Sequence, residues 1–158
     1  MIDFTVEELV TSPARFATAM TVRFQDVDAA GIVFYPRFFE YFHDAYALAL
    51  DRGGASLARG VNERQWAAPL KRVFAEYMRP LRFGDPIEVA IVGVKIEGTD
   101  VNVGYRARRA DGDVAAVGTA LHVFVDPKTF RRAPALPDVV RSALAPLTLV
   151  EIAREVKP

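Results

Sequence analysis

The sequence predicts an α+β fold in which a five-stranded antiparallel sheet is wrapped around one long helix. One segment, bounded by Pro36 and Gly53, has apolar residues over most of its helical circumference. Four strand-like segments follow it, two of which alternate (70–79 and 101–109), and the short turns between them give successive hairpins and an antiparallel sheet. One sheet cannot cover such a helix on every side, so a partner subunit is expected to complete its burial.

The composition limits the class of protein. The 158 residues suffice for one domain, so residues 1–158 are interpreted as a single domain with an N-terminal arm at 1–15 and a C-terminal tail at 141–158. Lysine plus arginine equals aspartate plus glutamate at 20 each, whereas nucleic acid and anionic membranes usually require a basic excess. We therefore expect neither as a partner.

Two further features bear on chemistry and location. The sequence has no cysteine, which excludes disulfides, thiolate metal sites and a cysteine nucleophile. It has no run of about 18 apolar residues, and its first residues are acidic rather than the basic start of a signal peptide. We expect a cytoplasmic protein.

The first elements are a strand, a loop and the helix. Residues 16–25 contain strand-forming residues that alternate near the end. The loop DVDAAGIVFY follows at 26–35. The helix is expected over 36–52, because Pro36 suits a first helical position and Gly53 a position just past the end.

Four more strands are expected after a looser segment at 53–69. The connections PLRFGDP, EGTD and ADGD are rich in turn residues and separate the strands. A short helix is expected near 138–144. The four strand ranges are 70–79, 87–96, 101–109 and 114–125.

Two motifs resemble those of a known family. DVDAAGIVFYPRFFE at 26–40 leads into the helix, and AEYMRPLRFGDPIEV follows at 75–89. They resemble the hotdog-fold acyl-CoA thioesterases, with the 4-hydroxybenzoyl-CoA thioesterase type as the most similar branch, over roughly residues 18–140. The resemblance implies a hotdog fold and a homo-oligomer, a dimer or a homotetramer, with active sites at the subunit interface.

The resemblance also implies the catalytic residues. The second aspartate of the D-x-D pair is the catalytic carboxylate of the family pattern, which is Asp28 here. The residue before the proline gives its backbone N–H to the thioester carbonyl, which is Tyr35 here. The same branch often has proline directly after the aspartate, where this chain has Ala29.

Thioester hydrolysis explains why these residue types are needed. A carboxylate attacks the carbonyl carbon or activates a water, and a donor stabilises the charge that develops on the oxygen. A helix N-terminus has free N–H groups and a partial positive charge, so the donors are Tyr35 N–H and the amides after the proline. A glycine lets the ligand approach closely. The expected substrate-binding residues are Gly31, Ile32, Val33, Phe34 and Pro36.

Other candidate residues have plainer interpretations. Asp26 is expected to hold the loop as a turn cap. Glu40 is the reserve base, although a polar interface position is the commoner role for such a residue. His43 and His122 lack the spacing of a metal site, and His122 is expected in the core or an interface. Trp66, like Tyr77, is expected to pack rather than to stack on substrate, although either could line an acyl pocket.

The expected function is hydrolysis of an acyl-CoA thioester to free acid and CoA. The acyl group is aryl or of short or medium length, 4-hydroxybenzoyl-CoA-like substrates included, and Asp28 is the nucleophile or general base. Coenzyme A belongs to the substrate, so no cofactor or metal is expected. Its phosphates require basic residues, for which the candidates are Arg106, Arg108, Arg109, Lys128, Arg131 and Arg132.

Two alternatives use the same fold. A non-catalytic acyl-thioester binding or sensing protein would not need Asp28. A hotdog dehydratase would pair a histidine with an acid in the site, and residues 23–36 contain no histidine. Turnover of an acyl-CoA distinguishes the thioesterase from the sensor.

Overall fold

An antiparallel sheet forms the larger part of the fold. The computed structural model describes residues 2–154. The strands follow the order β1-β3-β4-β5-β2 across the sheet, so the predicted α+β class and the antiparallel pairing of these five strands are confirmed. The strands are β1 (Phe16–Thr21), β2 (Leu70–Tyr77), β3 (Pro86–Glu97), β4 (Asp100–Arg109), β5 (Val114–Val123) and β6 (Thr148–Ile152).

The sixth strand corrects the predicted count of five. β6 pairs in parallel with the second half of β3, from Val94 to Glu97, beyond the half that pairs with β1. Gly93 on β3 leaves room for this strand, because a Cβ there would lie 2.3 Å from a methyl group of Leu149. The five-residue segment is too short for its alternation to predict a strand without that partner.

The first strand is shorter than its predicted range of 16–25. β1 ends at Thr21, and Phe24–Asp26 forms a 3₁₀ turn instead. The Asp26 carboxylate accepts a hydrogen bond from the backbone N–H of Arg23 at 3.0 Å, which closes the turn. A side chain that bonds its own local backbone in this way competes with strand pairing.

Among residues 2–154, four α-helices accompany the sheet. α1 (Val6–Thr11) lies in the segment predicted as an arm, and its Leu9 is fully buried beside Val92 and Val117. α3 (Leu57–Asn62) is short, and α4 (Asp138–Leu144) has the bounds expected from the sequence.

The longest helix, α2 (Arg37–Arg52), packs one face on the sheet. Pro36 occupies the N-cap and not the predicted first helical position, and Gly53 follows the end. The Phe42 ring stacks on Tyr105 of β4 at a centroid distance of 5.0 Å. Further along α2, the Tyr46 ring stacks on the ring of His122 in β5. The buried residues of α2 are Phe38, Tyr41, Phe42, Ala45, Tyr46, Ala49 and Leu50.

Within residues 2–154, no helix is long and apolar enough to cross a membrane. Over the same residues, no group of three or more histidine, aspartate or glutamate side chains is placed to hold a metal ion.

Candidate active site

The loop between β1 and α2 is organised by Asp26. Its side chain is fully buried and accepts hydrogen bonds from Arg23 Nη2 at 2.8 Å and Tyr41 Oη at 2.7 Å. Its carbonyl oxygen accepts from the N–H of Phe34 at 2.8 Å, which ties the two ends of the loop together. The structure thus confirms that Asp26 holds the loop.

The charge of Asp26 is stabilised in this position. Burial by itself raises the pKa of the carboxyl, but the hydrogen bonds from Arg23 and Tyr41 outweigh burial, and the pKa lies below its ordinary value. Asp26 is therefore an ionised structural group with its lone pairs in use, and it is not a free base.

Asp28 lies at the turn of the same loop in a different environment. Its side chain is exposed, and its Oδ1 accepts a hydrogen bond from Ala30 N–H at 2.8 Å. Its carbonyl oxygen accepts from Gly31 N–H, and its N–H donates to Ile32, both at 2.9 Å. In the described part of the chain, Oδ2 of Asp28 accepts no hydrogen bond. One oxygen of this carboxylate is thus held by the turn and the other is free.

Gly31 serves this turn through its backbone. Its φ is +78°, a conformation that L side chains rarely adopt. A Cβ built at this position meets no atom within 4 Å. The glycine is therefore required by the backbone conformation, whereas the sequence interpretation attributed it to close approach of a ligand.

The start of α2 leaves one backbone donor free. The amides of Arg37, Phe38 and Phe39 donate to carbonyl oxygens three residues earlier, at 2.9, 3.4 and 3.0 Å. The N–H of Tyr35 donates to no residue that the structure describes, and Pro36 has no N–H. Of the backbone N–H groups that the sequence offered as donors to a ligand, only that of Tyr35 is free among the described residues.

An apolar cavity of about 320 Å³ is lined in part by Tyr35, the residue that carries this free N–H. Two predicted substrate-binding residues, Ile32 and Val33, line it together with Tyr35. Phe34 and Pro36 do not line it, and neither does Asp28 in the single chain. The remaining lining residues are Phe38, Tyr77, Met78, Arg79, Pro80 and Leu81.

Residues 77–81 belong to the second motif, which the sequence interpretation took as mainly structural. A backbone hydrogen bond of 2.9 Å from Val33 to the carbonyl of Leu81 brings the two motifs together. The hydroxyl of Tyr77 also reaches the first motif, since it donates to the carbonyl oxygen of Tyr35 at 3.1 Å. The sequence did contain one indication of this half of the site, because both motifs resemble the same family.

Glu40, the reserve base, is engaged in ion pairs. Its carboxylate lies 2.6 Å from Arg37 Nη1 and 3.6 Å from Arg23 Nη2. These contacts hold Glu40 at the surface of the first turn of α2, outside the cavity lining. The structure thus gives Glu40 a surface ion-pair role.

His122 is a core residue, as expected. Its ring stacks on Tyr46 at 4.8 Å, and Nδ1 lies 3.3 Å from the carbonyl oxygen of Ala68. Burial lowers the pKa of His122 to about 4, against the opposing effect of that hydrogen bond, so the ring is neutral near neutral pH. Trp66 is buried beside Phe124, which confirms its packing role.

The basic candidates for phosphate contacts fall at two ends of the sheet. Arg106 is buried and donates to the carbonyls of Val10 and Ser12 at 2.8 and 2.7 Å, so it holds the end of α1. Arg108 lies at the end of the sheet that carries Tyr77, whereas Arg132 pairs with Asp100 at the other end.

Comparisons with known proteins agree on the class. Residues 22–144 match a family model described as "Thioesterase-like superfamily". A 1,4-dihydroxy-2-naphthoyl-CoA hydrolase from Gloeothece citriformis is 27% identical over 136 residues, which cover 85% of this chain and 94% of that protein. A protein of the same name from a Synechococcus species is 31% identical over 127 residues, with 75% and 81% covered.

A solved structure shares the fold. A 1,4-dihydroxy-2-naphthoyl-CoA thioesterase from Synechocystis superposes with a TM-score of 0.77 at 23% identity. The match covers 82% of this chain and 95% of that chain. At this identity the similarity concerns the fold, into which the loop, cavity and α2 described above are built.

Proposed function

The chain belongs to the thioesterase-like superfamily, and we propose that it hydrolyses an aromatic acyl-CoA to the free acid and coenzyme A. It is a thioester hydrolase, as its curated relatives are. The aromatic acyl group is proposed because those relatives are named for a hydroxylated naphthoyl-CoA and because aromatic side chains wall the cavity. The hotdog arrangement, with α2 as the central helix, is part of the proposal.

The observation that carries the proposal is the free N–H of Tyr35, a residue that lines the apolar cavity. The first N–H groups of a helix have no partner within the helix, so the free Tyr35 N–H at the start of α2 can bind an acceptor from outside. The partial positive charge of the helix N-terminus favours an oxygen that becomes negative there. In the proposal this N–H stabilises the thioester oxygen as the carbonyl carbon is attacked.

Asp28 supplies the reactive carboxylate in either of two routes. As a nucleophile, it forms a mixed anhydride with the acyl group, the CoA thiolate leaves and takes a proton, and water then hydrolyses the anhydride. As a general base, it takes a proton from the water that attacks the carbonyl, and the protonated Asp28 then passes that proton to the departing thiolate. No cofactor besides the coenzyme A of the substrate takes part in either route.

The fate of one oxygen atom can identify the nucleophilic route. With enzyme in excess over acyl-CoA in oxygen-18 water, attack of water on the aspartyl carbon of the anhydride puts label into Asp28 and gives an unlabelled product. A general base puts label into the product and none into Asp28, and so does attack of water on the acyl carbon of an anhydride. Label in the peptide containing Asp28, detected by mass spectrometry, therefore identifies Asp28 as the nucleophile.

A second copy of the chain completes the site in this proposal. β2 is the last strand of the sheet, and seven of its eight residues are exposed. An exposed strand edge readily pairs with another strand. Antiparallel pairing of two β2 strands would join two sheets and place the second copy beside Tyr77 and the cavity. Such a partner would enclose Asp28, which is exposed in the single chain.

The test compares two aspartates that hold similar turns. Asp28→Asn should lower kcat by at least about 100-fold, because a positioned carboxylate contributes that much or more to a rate. Asp111 caps the N–H of Asp113 at 2.9 Å, as Asp28 caps Ala30, so Asp111→Asn is the matched control and should retain activity. Free thiol release from aryl-CoA and alkyl-CoA esters is the measurement.

The results that contradict the proposal are specific. Unchanged turnover by Asp28→Asn removes this residue from the mechanism. Faster turnover of alkyl esters than of aryl esters contradicts the aromatic substrate.

The exposure of Asp28 in the single chain favours a second candidate function, a non-catalytic binder of acyl thioesters. Calorimetric binding of acyl-CoA by the wild type without any thiol release would support that candidate.

A further inference from the structure

Tyr77 links the edge of the sheet to the start of α2. It is the last residue of β2, and its ring lies against Phe38 at a centroid distance of 5.2 Å and against Tyr35 at 6.4 Å. Its hydroxyl donates to the carbonyl oxygen of Tyr35 at 3.1 Å. Tyr77 is therefore the side chain through which the second motif contacts the backbone of the first.

The peptide groups on either side of the Tyr35 Cα are both held. The peptide that contains the free N–H also contains the carbonyl of Phe34, which accepts from Arg37 N–H at 2.9 Å. The following peptide ends in Pro36 and has no N–H, so only its carbonyl can be held. That carbonyl receives the Tyr77 hydroxyl at 3.1 Å and the N–H of Phe38 at a longer 3.4 Å.

The hydroxyl is suited to this contact over a wide pH range. Tyr77 is 44% exposed, and its partial desolvation raises the pKa of its hydroxyl, with a smaller contribution from the neighbouring Tyr35. The group therefore stays protonated and remains a donor near neutral pH. A tyrosine ring also has few rotatable bonds, so a donor on it is well fixed once its ring is packed.

We propose that Tyr77 is a positioning residue, whose hydroxyl fixes the Tyr35 backbone so that its N–H points at the thioester oxygen. This inference rests on the proposed function. A group that acts through another should affect the rate more than the binding, because the oxyanion contact strengthens as charge develops. Loss of the hydroxyl should thus lower kcat and leave KM nearly unchanged.

The test is Tyr77→Phe, which removes the hydroxyl and keeps the ring. We expect a decrease in kcat of roughly 5- to 20-fold, less than the loss of a direct oxyanion donor, with KM changed less than about twofold. Tyr46→Phe is the matched control, because the Tyr46 hydroxyl is buried with no partner in the described part of the chain. Its kcat should equal that of the wild type.

A spectroscopic measurement separates positioning from a merely structural role. An aryl-CoA with an isotope-labelled carbonyl is bound to Asp28→Asn, which is expected to hydrolyse it at least about 100-fold more slowly than the wild type. The bound carbonyl should absorb at lower infrared frequency than in water, and adding Tyr77→Phe should move the band back toward the water value. An unmoved band, or a raised KM with unchanged kcat, overturns the role of Tyr77. Thiol release by the wild type tests the proposed function separately.

Discussion

Asp26 and Asp28 are two residues apart and occupy opposite environments. Asp26 is fully buried and bound by Arg23 and Tyr41, whereas Asp28 is exposed and has a free carboxylate oxygen. The first aspartate fixes the loop that carries the second. Because Asp26 fixes the loop, the exposed carboxylate of Asp28 can be presented to a substrate in a defined position.

Asp26→Asn should lower the free energy of unfolding by about 2 kcal/mol, because an amide cannot replace all the hydrogen bonds that a buried carboxylate accepts. The pKa of Asp26 is lower in the folded chain than its ordinary value of 3.8. Its contribution is therefore complete above that value and is lost as the pH falls through the lowered folded value.

Denaturant unfolding across this pH range is the measurement. The stability of wild type should decline on acidification more than that of Asp26→Asn, so the difference between them narrows. Asp44→Asn, at an exposed position of α2, is the control and should behave as the wild type does. A difference that stays constant with pH would show that the charge of Asp26 contributes nothing.

The role of a residue could be predicted from the sequence where local chemistry decides it, and could not where three-dimensional geometry decides it. The turn-holding role of Asp26 was predictable from local chemistry, because aspartate commonly bonds nearby backbone N–H groups. The reduction of the donors to Tyr35 was not predictable. It depends on which carbonyls the amides of Arg37, Phe38 and Phe39 reach, which is a matter of three-dimensional geometry.

β2 is the element on which the proposed dimer depends. It closes one side of the sheet, carries Tyr77 at its end, and exposes Val73 and Phe74 at 45% and 41%. Large apolar side chains on an open edge favour association, and β2 carries them beside Lys71 and Arg72, charged residues of the kind that oppose edge pairing. The proposed dimer and the proposed site thus meet on one strand.

Val73→Lys should therefore shift the protein from dimer to monomer and lower its activity. Val139, on α4, is similarly exposed at 39% and lies away from this edge, so Val139→Lys is the matched control. Light scattering coupled to size exclusion gives the mass of each variant. A dimeric and fully active Val73→Lys, or a monomeric and active wild type, would contradict assembly through β2.

The elements were predictable to different degrees. β3, β4 and β5 are segments of ten to twelve residues rich in strand-forming residues and bounded by turn residues, and their predicted ranges agree with the structure within two residues at each end. β6 was missed because it depends on space beside Gly93, which no local pattern reveals. The β-propensity of a segment depends on its own residues, whereas strand pairing also depends on the strands that lie beside it.

At the scale of the whole molecule, the fold brings two distant loops to one cavity. α2 covers one face of the sheet, and the Val33–Leu81 hydrogen bond joins the loop before α2 to the connection after β2. The sequence predicted the class of fold and the first loop, since both follow from local patterns and from the resemblance. It did not predict the wall formed by residues 77–81, because the contact spans more than forty residues.

The free Tyr35 N–H is the central claim, and replacing that N–H by oxygen tests it most directly. Incorporating the α-hydroxy analogue of tyrosine at position 35 turns the amide into an ester and keeps the side chain. An ester at Phe130, whose N–H bonds Asp126 in a distant loop, is the control. We predict a fall in kcat of about 100-fold at position 35 with little change in KM. An unchanged kcat would contradict the account.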